Sequence, residues 1–392
     1  MSAPGHPRVL LLHNRYRFEG GEERSVALQL RALEGAGIEH RSLERRSEEA
    51  GRLAAAAALV RGGTGEEEVA AAVRELAADV VHVHNMQPLF GPRALAAARA
   101  AGARVVLHLH NARLFCAIGV AARDGAPCFR CRGRNTVPGL VLNCRESVPE
   151  AVAYATGLAL HQPLALRSAD RFVAPSHWAA GQLALLGVPG GRLEVLPHYL
   201  PDDELAGVSR AHQGRYLLAA GRLSPEKGFD VAIEAAALAG VPLWIAGEGP
   251  AAAELAAQVE RLGAPVELLG LVGRTEMPAL LRGAAALVSS SRSHEFSPFS
   301  VLEAMGSGVP VLATRSGGVP ELVGDERCVP LGDAAALAHR MRSLWSDPSR
   351  RREDGEGLLA RVREHHTERR YLRELLAIYE RAAASSRSTI AQ

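Results

Sequence analysis

What this chain has least of is lysine. Of the 45 basic residues in its 392 positions, a single one is lysine, Lys227, and the rest are arginine. A composition biased this far replaces ordinary surface lysines. Position 227 therefore reads as one that needs a compact ammonium on a flexible stem rather than a planar guanidinium. Aromatic residues make up 4% of the chain, too few for the platforms on which single-stranded nucleic acid stacks. The net charge of +2 points neither to nucleic acid nor to an acidic partner. No apolar run reaches the roughly 18 residues of a membrane span. The N-terminal apolar stretch is only Val9 to Leu12, with no leader-like segment behind it, and a cytoplasmic protein is expected. No Asp-x-Asp pair is present, so no catalytic metal is expected either.

At this length two domains are the expectation. Short apolar runs that end in polar residues read as buried strands of a parallel sheet: Arg8–Asn14, Asp79–His84, Arg104–His110, Arg171–Ala174 and Leu193–Leu196. A periodic helix follows Gly20-Gly21 and runs to about Leu33. Polar and turn residues from Pro201 to Gly214 read as a linker. A second alternation then has strands at Tyr216–Ala220, Pro242–Ala246, Val266–Leu269, Ala285–Ser289 and Val309–Ala313. The expected fold is α/β, with two tandem Rossmann-like doubly wound domains facing a cleft. The first covers residues 1–200 and carries an insertion at 111–148; the second covers 215–360. The segment 361–384 has helical spacing at Leu372, Leu375, Leu376 and Tyr379, and is expected to pack back on the first domain.

Two stretches carry chemistry. Arg215–Gly221 reads as a buried strand ending in glycine, followed by Arg222 and then Lys227 at a helix start. One group binds bidentately and the other is a point charge, which suits a diphosphate at a helix end. The plainer alternative is two solvated charges at a turn. In Ser293–Pro310, Ser297 reads as a helix cap with Pro298 at the first helical position. Glu295 then falls in the loop before the helix and Glu303 on it, with the N–H groups of Phe299 and Ser300 facing the same cleft. Carboxylates accept from sugar hydroxyls, while N–H groups donate to phosphate. Taken singly, each glutamate equally fits a capping or surface role.

In combination these residues resemble a GT-B-fold glycosyltransferase of family 4, the large retaining group that uses nucleotide-diphosphate sugars. The motifs are Gly-Arg-x4-Lys, then Glu-x7-Glu followed by Ala-Met-x-x-Gly-x-Pro-Val, then Gly317-Gly318-Val-Pro-Glu321. The resemblance implies a hexosyltransferase-like enzyme of polysaccharide biosynthesis, with a glycan, lipid-linked or small-molecule acceptor. It implies that Arg222 and Lys227 hold the donor diphosphate, Glu303 the ribose, and Glu295 the transferred sugar. Gly270-Leu271-Val272 would line the base pocket, Gly20 and Gly21 would approach the diphosphate, and His110 would face the transferred sugar. It also implies same-face displacement, in which the leaving phosphate oxygen takes the acceptor's proton. Neighbouring His82, His84 and His108 read as packed or hydrogen-bonded. Two positions depart from the common pattern: Pro298, which removes an N–H from the helix end, and His198 where an asparagine is frequent. Two other classes stand beside it: a non-catalytic nucleotide-sugar-binding partner, which the filled motif positions disfavour, and a sugar-nucleotide epimerase, which lacks these motifs.

Four of the five cysteines, Cys116, Cys128, Cys131 and Cys144, fall in the insertion. Their number and the two-residue spacing of Cys128 and Cys131 fit a structural zinc; a disulfide pair or simply reduced cysteines are the alternatives. A similar insertion opening His-Asn-x-Arg-Leu-x-Cys occurs in a subset of the family, on the acceptor side. Cys328 reads as core. Arginines 15, 17, 24, 31, 41, 45 and 46 suggest peripheral contact with the inner membrane face, against an ordinary solvated surface.

Overall fold

The computed structural model describes residues 6–16 and 20–384. Arg17 lies outside them. The chain divides into two compact units. One comprises the described residues up to Ala121, Phe129–Pro197 and those from Tyr371 on; the other comprises Ala122–Cys128 and His198–Arg370.

The first unit holds a six-stranded, all-parallel sheet: β1 (Val9–Arg15), β2 (His40–Arg46), β3 (Val80–Asn85), β4 (Arg104–His108), β5 (Arg171–Ala174) and β6 (Leu193–Val195). The spatial order is β2-β1-β3-β4-β5-β6. Val9 to Leu12 are wholly buried, as expected for a strand covered on both faces. The order reverses between β1 and β3, so the loops leaving those two strands flank the crevice where such sheets take ligands. Helix α1 (Gly21–Gly35) follows β1. The last helix, Glu368–Ala384, begins after a break at His366–Thr367, and its Tyr371, Leu375, Ile378 and Tyr379 are buried.

The second unit repeats the design with β7 (Tyr216–Ala220), β8 (Leu243–Ala246), β9 (Val266–Gly270), β10 (Ala284–Ser289), β11 (Val311–Thr314) and β12 (Cys328–Val329), ordered β9-β8-β7-β10-β11-β12. Strand alternation splits its core in two. Leu217 and Ala219 face one apolar cluster, with Phe229, Ile233 and Met341. Tyr216 and Leu218 face the other, with Val301, Leu302 and Met305. Here the reversal lies between β7 and β10. Arg222 and Lys227 follow one of those strands, and Glu295 follows the other.

Three expectations need correction. The helix after Glu295 is Phe299–Gly306, with Pro298 in the cap position at φ −76° and ψ 125°, so Ser297 is not the cap. Proline's extended backbone ends the loop one residue later than a serine cap would. The strand expected to reach His110 stops at His108. Edge strand β2 was not anticipated: its sequence HRSLERR is mostly charged and pairs on one side only, with β1.

Candidate active site

In the second unit, Lys227 ends a single 3-10 turn, Pro225–Lys227, and Gly228 follows at φ +64°. A Cβ on Gly228 would lie 2.2 Å from the Ser290 carbonyl oxygen, so only glycine lets this turn approach the end of β10. Backbone bonds from Arg292 and Ser293 to the Glu226 carbonyl, at 2.9 and 3.2 Å, stitch the two loops together. Lys227 Nζ then donates to Glu295 Oε1 at 2.7 Å, and the Ser291 hydroxyl donates to the same oxygen at 2.6 Å. Burial would raise the Glu295 pKa, but the lysine charge and these hydrogen bonds outweigh it and hold the carboxyl below its ordinary value. Arg222 donates to Glu226 at 2.7 Å and is half exposed.

The Gly-Gly-x-Pro-Glu motif has a local task here. Gly317, at φ +56°, lies so close to the Glu295 backbone that a Cβ would fall 2.1 Å from the Glu295 carbonyl oxygen. The Gly318 N–H donates to that oxygen at 2.8 Å, and the Ser316 hydroxyl accepts from the Glu295 N–H at 3.0 Å. Gly317 N–H also donates to His294 Nδ1, 3.1 Å away. The Glu295 N–H and carbonyl are thus both held, one by the Ser316 hydroxyl and the other by the Gly318 backbone. Phe299 and Ser300 open the following helix, Glu303 is its fifth residue and half-buried, and His198 stacks on Phe299 at 4.3 Å. Val272 follows β9 and packs against the second core cluster.

In the first unit, Gly20 caps α1 and Gly21 begins it. The Glu23 carboxylate accepts from the N–H groups of Tyr16 and Gly20, at 3.1 and 2.9 Å, which fixes this turn. His110 lies beyond β4, with Nε2 2.8 Å from His84 Nδ1, and the two rings stack at 5.1 Å. His110, Tyr16, Glu22, Gln87, Asn111 and Arg113 are among the residues lining a recess at the ends of these strands.

The recess contains groups that sequence reasoning passed over. Asn111 Nδ2 lies 3.3 Å from both Tyr16 Oη and Glu22 Oε2. The Arg113 guanidinium lies over the Tyr16 ring, 4.8 Å from its centroid. Burial pushes the Glu22 carboxyl up to about 7, against the opposing charges of His13 and Arg113. Among the described residues, Glu22 Oε1, Gln87 Oε1 and Arg113 Nε are buried and have no hydrogen-bond partner. Two acceptors and one donor are left for a ligand.

Among the described residues, the group whose ligating atoms all lie within 4.8 Å of one another is His82, His84 and His108. The rings of His82 and His84, and of His84 and His108, stack at 4.8 and 5.0 Å with planes within 29°. Lone pairs lie in the ring plane, so stacked rings direct them side by side rather than onto one ion. The cluster is a hydrogen-bonded stack. Cys116, Cys128, Cys131 and Cys144, the expected zinc set, are all half-buried. Cys128 groups with the second unit and the other three with the first.

Comparison with known proteins follows the two-unit division. The profile described as a glycosyl transferase 4-like domain matches residues 1–198, and that described as glycosyl transferases group 1 matches residues 214–347. D-rhamnosyltransferase WbpZ of Pseudomonas aeruginosa is 32% identical over 160 residues, 39% of this chain and 42% of that protein. The putative colanic acid biosynthesis glycosyltransferase WcaL of Escherichia coli is 30% identical over 199 residues, 45% and 48% of the two chains. The chain thus matches less than half the length of these relatives. Among solved structures, Anabaena HepE in complex with UDP-glucose superimposes with a TM-score of 0.65 at 19% identity, covering 98% of this chain and all of that one. Sucrose-phosphate synthase from Thermosynechococcus elongatus gives 0.73 at 16% identity, covering 97% and 100%. These likenesses establish the GT-B architecture.

Proposed function

The chain belongs to the group 1, family-4-like glycosyltransferases, and from that premise we propose that it moves a hexosyl group from a nucleotide-diphosphate sugar to a glycan or lipid-linked acceptor with retention of configuration. The observation that carries this reading is the Lys227–Glu295 contact at the strand reversal of the second unit. A lysine kept in a chain that otherwise uses arginine is held by glycine-dependent turns against a carboxylate. Lys227 and Arg222 take the diphosphate, turning from Glu295 and Glu226 as the anion arrives. Glu295 is then released to accept from hydroxyls of the sugar, and Glu303 from those of the ribose. Phe299 and Ser300 N–H groups and the backbone at Val272 complete the donor side.

The first unit serves the sugar and the acceptor. Gly20-Gly21 lets a diphosphate approach the start of α1, and His110 meets the transferred sugar. The unpaired atoms of Glu22, Gln87 and Arg113 support a hydroxyl-bearing ligand in this recess. In the step itself, the acceptor oxygen bonds to the anomeric carbon on the face that the phosphate leaves. The C–O bond to phosphate breaks, and the acceptor's proton passes to the departing phosphate oxygen. Arg222, Lys227 and the helix end stabilise the charge that develops there, and the reading assigns no metal to the step. Acceptors of the lipid-linked kind would place the enzyme at the inner membrane face; no helix among the described residues is long and apolar enough to cross a membrane.

The test is nucleotide release from a panel of UDP-, GDP- and ADP-sugars, with Lys227→Ala as control. Hydrolysis of one donor, lost in the variant, is the expected result. No release from any donor, with or without membrane extract as acceptor source, overturns the reading.

A further inference from the structure

Gln29 lies in the middle of α1 and is wholly buried. Hydrogen bonds reach it from three sides. The Tyr371 hydroxyl donates to its Oε1 at 3.0 Å, and its Nε2 donates to the Tyr379 hydroxyl at 3.1 Å. His84 Nε2 lies 3.1 Å from the same Oε1. A carbonyl oxygen only accepts, so the proton of His84 is on Nε2 and its Nδ1 is a lone pair. That Nδ1 is 2.8 Å from His110 Nε2, so the proton between them belongs to His110. A neutral imidazole carries one N–H. His110 therefore holds it on Nε2, and Nδ1 is its accepting nitrogen.

A second arm runs the other way. Tyr379 accepts from Gln29 Nε2, so its own O–H donates to His82 Nδ1 at 3.0 Å. The His82 proton then lies on Nε2, 3.3 Å from His108 Nδ1. Burial pushes the His82 imidazole down to about 3, so this ring stays neutral at physiological pH. Turning the Gln29 amide over would exchange donor for acceptor at every link of both arms. One buried amide orders four histidines.

We propose that Gln29 is a positioning residue which, acting through His84, sets the tautomer that His110 presents to the sugar; this rests on the role given to His110 above. With Nδ1 as its acceptor, His110 takes a hydrogen bond from a hydroxyl; in the opposite tautomer it would only donate from that nitrogen. The two tyrosines, more than 340 residues away in sequence, bond to both ends of the amide and hold the side chain in place.

The test reads the tautomer directly. Ring nitrogens of His110 are followed by NMR in the full chain labelled with 15N-histidine, assigned by comparison with His110→Asn. In the native protein the proton is expected on Nε2. Gln29→Glu, whose carboxylate still accepts from His84, keeps it there, although the Tyr379–His82 arm must reverse. Gln29→Leu removes the acceptor, and His110 shifts toward the Nδ1–H form. Donor hydrolysis then falls on the order of tenfold, the usual scale for losing a partner that orients an active imidazole, while UDP affinity is unchanged. Tyr371→Phe gives a smaller shift in the same direction and covers the case in which Gln29→Leu folds poorly. Retention of the Nε2 proton in Gln29→Leu and Tyr371→Phe, or its loss in Gln29→Glu, overturns the proposal. A tautomer that moves while hydrolysis stays constant upholds the positioning and removes His110 from the reaction.

Discussion

Lys227 Nζ lies 2.7 Å from Glu295 Oε1, and the side chains keep 30% and 16% of their exposure. The pair is therefore partly desolvated, and breaking it from one side leaves the other charge poorly solvated. Lys227→Met is expected to destabilise the fold by about 1–2 kcal/mol, less than a fully buried pair because solvent screens the lysine. It should also abolish nucleotide binding. Adding Glu295→Gln should restore much of the stability and none of the binding. Urea denaturation and nucleotide titration of the three variants check this. Recovery of binding in the double variant would remove Lys227 from the donor site.

Gly317 supports that pair without touching it. Its φ of +56° and the 2.1 Å approach to the Glu295 carbonyl leave no room for a methyl group. Gly317→Ala should cost roughly 2 kcal/mol through strain and displaced backbone. Donor hydrolysis should fall more than thermal stability alone explains, because Glu295 moves with the turn. A variant with native melting behaviour and native turnover would show that the turn tolerates the side chain.

Much of the fold was legible because parallel strands buried on both faces read as unbroken apolar runs, as in Val9–Leu12 and Tyr216–Ala220. Strand β2 was not, since an edge strand needs no apolar face, and Arg41, Arg45 and Arg46 looked like a solvated surface. On the donor side, Arg222, Lys227 and Glu295 stand in local motifs, and the loops they occupy flank one strand reversal. The first unit was harder. Glu22 reads in sequence as an acid in a helix's first turn, where the dipole welcomes it, and only the folded recess shows it buried. Gln29, Tyr371 and Tyr379 meet across more than 340 positions, and no spacing rule joins them.

Glu22 gives the pH dependence. Its carboxyl is raised from 4.5 to about 7, chiefly by burial. Between these values the native state holds a proton that the unfolded chain has released. The contribution of Glu22 to stability is therefore fully present below about 4.5 and declines as pH rises toward 7, where the buried carboxylate must ionise. The full shift corresponds to roughly 3 kcal/mol, an upper bound for one site. Glu22→Gln keeps the shape of the side chain and removes the titration. Its stability, measured by urea denaturation at pH 5 and pH 8, should change less between the two than that of the native protein. At pH 8 the variant should be the more stable of the two, and still lose turnover if Oε1 takes a sugar hydroxyl. An unaltered pH profile in the variant would mean that Glu22 is already ionised at pH 5, paired with Arg113 or His13.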